Sequence, residues 1–230
     1  MSSDEFSSLQ LRDYQQDILE RSLLSNTIVY LPTGTGKTLI ATHLLSFRIQ
    51  ALLRRHSHAC GNSGYDENKG TDHDDLLKLV IFVAPTKVLL KQQLEYFTAN
   101  SFVKNLKVEE FSGSTNQEGK SMCRWENAEW EKHLTNCNLA GMTPAILCML
   151  LEHNLLPLSR IDSIIFDECH HILGKNDPMG KIVDALSRLS YIGADPIPGI
   201  HQPLILGMTA SLLSRKKGKK EQCHYSLVFI

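Results

Sequence analysis

Two groups of residues in this chain have the types and spacing needed for phosphate chemistry. The first is Leu31-Pro32-Thr33-Gly34-Thr35-Gly36-Lys37-Thr38. Glycines in such a turn let successive backbone N–H groups face one anion, and a following helix adds the partial positive charge of its N-terminus. Pro32, Thr33, Gly34, Thr35 and Gly36 would form the cradle, Lys37 would reach the β/γ-phosphates, and the Thr38 hydroxyl would ligate Mg²⁺. The usual G-x-x-x-x-G-K-[ST] spelling asks for glycine at position 31, where this chain has Leu31. The second group is Asp167-Glu168-Cys169-His170-His171, two carboxylates placed after an apolar run. Asp167 can complete the Mg²⁺ site shared with Thr38, and Glu168 can orient and deprotonate an attacking water. Phosphoryl transfer needs mainly positioning and charge neutralisation, so a lysine, a metal and a water-handling carboxylate supply most of it. An isolated acidic pair at a strand end is more often a helix cap. Coupled to the glycine turn, it reads as the other half of a nucleotide site.

The elements that must hold these groups follow from hydrophobic pattern. The β-branched and aromatic run at 27–31 predicts a buried strand entering the turn, with a helix from about Lys37 and apolar residues over 39–53. Residues 161–167 predict a second strand, which delivers the acids to the edge of an α/β sheet where ligands collect. Upstream, Leu11, Tyr14 and Ile18 mark an amphipathic helix; Gln15 on it could make paired hydrogen bonds to an adenine edge. Further strands are expected at 78–84, 108–111, 139–142 and 203–208. Helices are expected after Thr86 and over 145–151, and a short one carrying Trp125, Trp130 and Glu131. Strands alternating with helices predict an α/β fold, a mainly parallel sheet with helices on both faces. Residues 56–76, rich in glycine, asparagine and acids, read as a long exposed loop. His56, His58, Cys60 and His73 lie in or beside it, at spacings that fit no standard zinc pattern.

The 230 residues are 42% hydrophobic and 21% charged, with a net charge of −1, ordinary values for a globular protein. No global field advertises nucleic acid, so any such site must be a local patch. Six cysteines contain no C-x-x-C pair, which favours reduced thiols in a cytoplasmic or nuclear compartment. The polar N-terminus does not read as a signal peptide. The apolar-leaning run at 139–151 is too short to span a bilayer, so no membrane partner is expected.

With these residues in place, the chain resembles the superfamily 2 helicases of the DExD/H type, here spelled Asp-Glu-Cys-His. Leu11-Arg12-x-Tyr14-Gln15 resembles that family's adenine-reading segment. Ala84-Pro85-Thr86-Lys87, Ser112-Gly113 and Gly141-Met142-Thr143-Pro144 resemble its nucleic-acid motifs, and Thr209-Ala210-Ser211 resembles the motif coupling hydrolysis to strand movement. Asp-Glu-Cys-His-His, the Trp-rich segment and Gln92-Gln93 lean toward Dicer-type, RIG-I-like and archaeal repair helicases. The resemblance covers about residues 9–211. It implies a RecA-like P-loop domain binding ATP with Mg²⁺, and RNA, double-stranded by preference, with DNA as the alternative. Tyr14 and Gln15 would join the nucleotide site. Pro85, Thr86, Ser112, Gly113, Thr143 and Pro144 would line a groove for the sugar-phosphate backbone. His170 would link the ATP site to the coupling residues Thr209 and Ser211. A flexible segment (1–8) is expected before this domain, and a basic tail outside the family pattern (212–230) after it. The second helicase lobe, which would supply an arginine to the cleft, is expected to be absent, so turnover alone should be slow unless a lobe joins in trans. The competing readings are a non-enzymatic RNA- or protein-interaction module and the first lobe of a DNA-repair helicase.

Overall fold

The computed structural model describes residues 10–61, 78–113, 122, 125–173, 177–192, 195–196 and 202–211. Six parallel strands form one sheet in the order β1 (Thr27–Tyr30), β8 (Leu204–Thr209), β5 (Ile161–Phe166), β2 (Leu79–Val83), β4 (Leu139–Met142) and β3 (Val108–Phe111). Two-residue strands β6 (Tyr191–Ile192) and β7 (Asp195–Pro196) pair antiparallel outside it. The parallel sheet predicted from the alternation of elements is therefore present.

Both faces of that sheet are covered, and the strand sequences say why. All five residues of β2 are fully buried, as expected of a strand with no solvent face. Successive side chains point to opposite faces. Val80 and Phe82 pack with α1 (Asp13–Leu24), α2 (Lys37–Gly61) and α3 (Lys87–Asn100). Leu79, Ile81 and Val83 pack with α4 (Asn127–Asn136), α5 (Pro144–Glu152) and α6 (Pro178–Ser190). Phe82 meets Phe97 of α3 edge to face, with ring centroids 4.8 Å apart, a favoured aromatic geometry. Gly141 lets α3 lie close on β4, since a Cβ there would stand 2.5 Å from Leu94 Cδ1. At the opposite end from the expected site, Arg48 of α2 holds Asp162 of β5 by two 2.7 Å hydrogen bonds.

Three elements differ from the sequence reading. Helix α2 continues to Gly61, because Ala51, Leu52, Arg54 and Arg55 are strong helix formers and Leu52 is buried. The first residues of the expected loop are thus helical, and the rest lies outside the described residues, as do segments 1–8 and 212–230. Trp125 precedes α4 rather than lying on it. Helix α6 was not anticipated. No described helix is long and apolar enough to cross a membrane.

Candidate nucleotide site at one edge of the sheet

The glycine turn leaves β1 in a way that explains its unusual spelling. Leu31 N–H donates to Thr209 O at 3.2 Å, extending the β1–β8 ladder by one residue. Position 31 is therefore extended backbone, with no need for glycine. The positive φ values fall at Gly34 (+80°) and Gly36 (+90°), where glycine is the residue that adopts them without strain. Thr35 Oγ1 donates to Pro32 O at 2.6 Å, and Lys37 Nζ donates to Leu31 O (2.8 Å) and Pro32 O (3.1 Å). The N–H groups of Gly34 and Gly36 donate to no backbone carbonyl among the described residues, while Thr35 closes the turn on Pro32. A turn presenting free amide donors beside an ammonium group and a helix start fits a polyphosphate.

Helix α1 grips this turn from behind. Tyr14 Oη and Gln15 Nε2 both donate to Thr35 O, at 2.7 and 2.8 Å. Gln15 is 3% exposed, and its Oε1 accepts from Arg12 N at 2.9 Å. Both ends of the amide expected to read adenine thus have partners inside the protein, and a base would have to compete for them.

Two strands away, β5 ends at Phe166, and Asp167 N–H donates to Val83 O at 2.9 Å. Asp167 Oδ1 accepts from Glu168 N at 3.0 Å. Burial pushes the Asp167 carboxyl up to about 6; the Glu168 N–H and the Lys37 ammonium act in the lowering direction and the Glu168 charge in the raising one. A buried carboxylate whose charge is undercompensated, with the Thr38 hydroxyl in the first turn of α2, is a donor set of the hard oxygen type that Mg²⁺ takes.

Glu168 has φ +50°, a conformation a side chain adopts at a cost and one that clusters at functional positions. Its Oε2 lies 3.2 Å from His170 Nδ1, which is also 2.9 Å from Thr209 Oγ1. Thr209 Oγ1 donates to Ser211 O at 2.7 Å and accepts from Ser211 N at 3.1 Å. A hydroxyl has one hydrogen, so the proton between His170 and Thr209 belongs to Nδ1. His170, Thr209 and Ser211 therefore form one chain of hydrogen bonds, with the Glu168 carboxylate in contact with its His170 end. His171 stacks on His170, with centroids 4.5 Å apart. The Cys169 thiol is pushed up to about 12 by burial and packs over Gly207, where a Cβ would stand 3.0 Å from Sγ. It serves packing, not chemistry.

The remaining expected residues lie at the tips of β2, β4 and β3, on the same edge. Thr86 Oγ1 caps α3 by accepting from Leu89 N at 3.3 Å. Ala84 N–H donates to Met142 O (3.2 Å) and Thr143 N–H to Phe111 O (3.1 Å), so the three tips are joined through backbone. Ser112 and Pro144 are buried while Thr86 is exposed. Gly113 has φ +69°. This edge offers backbone more than side chains. Sequence reasoning missed Leu31, whose N–H meets Thr209 and whose carbonyl meets Lys37; no sequence signal marks a residue acting through its main chain.

A family model described as DEAD/DEAH box helicase matches residues 12–217. The chain is 33% identical over 205 residues to "Endoribonuclease Dicer homolog 2" of Arabidopsis thaliana, covering 89% of this chain and 12% of that protein. It is 32% identical over 208 residues to "Dicer-like protein 1" of Aspergillus clavatus, covering 90% and 12% respectively. The chain thus spans about 12% of the length of these relatives. Among solved structures, the Hef helicase domain of Pyrococcus furiosus superposes with a TM-score of 0.60 at 24% identity, over 90% of this chain and 34% of that one.

Proposed function

The chain belongs to the DEAD/DEAH box helicase family and is related to Dicer-like helicases, and from that premise we propose that it is the ATP-binding lobe of a Dicer-like RNA helicase. The observation that carries the reading is the glycine turn itself, where Gly34 and Gly36 take positive φ values and donate to no backbone carbonyl among the described residues, with Lys37 following them at the start of α2. Lys37 would leave the Leu31 and Pro32 carbonyls for the β/γ-phosphates. Thr38 and Asp167 would hold Mg²⁺, which when bound supplies charge neutralisation. Glu168 orients and accepts a proton from water, and His170 reports the state of Glu168 to Thr209 and Ser211.

The tips carrying Pro85, Thr86, Ser112, Gly113, Thr143 and Pro144 would hold a nucleic-acid backbone, because main-chain N–H groups and a hydroxyl bind phosphates without reading bases. Double-stranded RNA is the proposed partner. Turnover by this lobe alone would be slow, since an arginine from a second lobe is worth ~10³–10⁵ in rate in related phosphoryl-transfer sites; such a lobe could act in trans. Titration calorimetry with Mg²⁺ and a non-hydrolysable ATP analogue tests the site. Lys37→Ala should weaken binding at least tenfold, and equal affinity in both proteins would refute the reading. Stronger binding of branched DNA than of double-stranded RNA would favour a repair-helicase lobe.

A further inference from the structure

We propose that Tyr14 is a positioning residue for the phosphate turn rather than a reader of the base. The inference rests on the nucleotide reading above and deepens it. The Tyr14 hydroxyl stands 2.7 Å from Thr35 O, and the Gln15 amide reaches the same oxygen at 2.8 Å. One carbonyl thus accepts two side-chain donors from adjacent residues of α1, 20 and 21 positions earlier in the chain. In a trans peptide the carbonyl and the following N–H point in opposite directions. Drawing Thr35 O toward α1 therefore turns the Gly36 N–H away from it. That N–H has no acceptor among the described residues, and Gly36 sits at φ +90°.

The clamp also requires the glycine. A Cβ at position 36 would run into Gln15 Nε2, so any side chain there would push the Gln15 amide off Thr35 O. The donors that face a phosphate are not free to rotate. Tyr14 and Gln15 set the direction of at least one of them, and Tyr14 does so through a hydroxyl half-shielded from water. Losing that hydroxyl frees the Thr35–Gly36 peptide to reorient, which removes a donor from the anion. The base end of a ligand would not feel it.

The test uses Tyr14→Phe, which keeps the ring and deletes the one donor. ¹⁵N-glycine NMR of the nucleotide-free protein reads the Gly36 amide directly. The variant should shift that resonance, because the Thr35–Gly36 peptide plane turns when its carbonyl loses a donor. Calorimetry should show pyrophosphate and the ATP analogue bound about fivefold more weakly and adenosine unchanged. In the pair Tyr14→Phe plus Gln15→Leu, the loss for pyrophosphate should exceed that of either single, because both donors act on the same carbonyl. An unmoved Gly36 resonance in Tyr14→Phe would overturn the proposal, as would equal loss for adenosine and pyrophosphate. Failure of the wild type to bind any nucleotide would sink the nucleotide reading alone, since the Gly36 measurement needs no ligand.

Discussion

Near the start of β5, Asp162 is 2% exposed and takes two 2.7 Å hydrogen bonds from the Arg48 guanidinium, with Ser163 Oγ donating a third at 3.1 Å. Just past the end of the same strand, Asp167 is 8% exposed and accepts a single backbone N–H at 3.0 Å. Both are buried acids on one strand. The first is neutralised by a forked partner, the arrangement that makes a buried charge tolerable. The second keeps an undercompensated charge and a carboxyl raised to about 6. One edge of the sheet is organised for stability. The other holds strain at Glu168, unpartnered amides at the glycine turn and a costly carboxylate; a polyphosphate would satisfy the amides and a cation the carboxylate.

That contrast can be broken by exchanging what each edge has. Arg48→Met should leave Asp162 buried and unpaired, lowering stability by about 3–5 kcal/mol in urea denaturation, with affinity for an ATP analogue unchanged. Loss of binding instead of stability would mean that the two edges are not separate in role.

Asp167→Asn should do the reverse. Its carboxyl is raised from 3.8 to about 6, so between those values the folded state binds more protons than the unfolded one. Wild-type stability therefore falls as pH rises through about 4 to 6, and the full cost of the buried charge is present at pH 7. Without Mg²⁺, the variant should be more stable at pH 7 by on the order of 2–3 kcal/mol, with the gain gone at pH 4. It should also lose any Mg²⁺-dependence of nucleotide binding. A destabilised variant at pH 7 would contradict the comparison.

A smaller effect separates the two halves of the functional edge. Gly36→Ala meets both a positive φ and the Gln15 amide, and should cost about 1–3 kcal/mol together with nucleotide binding. Gly113→Ala meets a positive φ but only Ile146 Cδ1 at 3.8 Å. It should cost about 1 kcal/mol, read by thermal melting, and leave nucleotide binding intact.

Much of this was legible in sequence where the pattern is local. The strand at 27–31, the helix from Lys37 and the strand at 161–167 are each set by contiguous residues, and the structure has them within a residue of expectation. Helix α6 carried a readable signal in Met179, Ile182, Ala185 and Leu186, all buried and at helical spacing. The pairing of Arg48 with Asp162 spans 114 positions, and nothing in either neighbourhood announces it. Likewise Gln15 was expected to meet an adenine edge, and its bond to Thr35 O depends on how α1 lies against the turn. Residue chemistry shows in the letters; contacts between residues far apart in the chain do not.

The most direct test is a crystal structure with Mg²⁺ and a non-hydrolysable ATP analogue at saturating concentration. The account predicts terminal phosphates within hydrogen-bond reach of the Gly34–Gly36 amides, Lys37 Nζ drawn off the Leu31 and Pro32 carbonyls, and the metal between Thr38 and Asp167. An analogue bound elsewhere, or Lys37 still resting on those two carbonyls with no density in the turn, would contradict it.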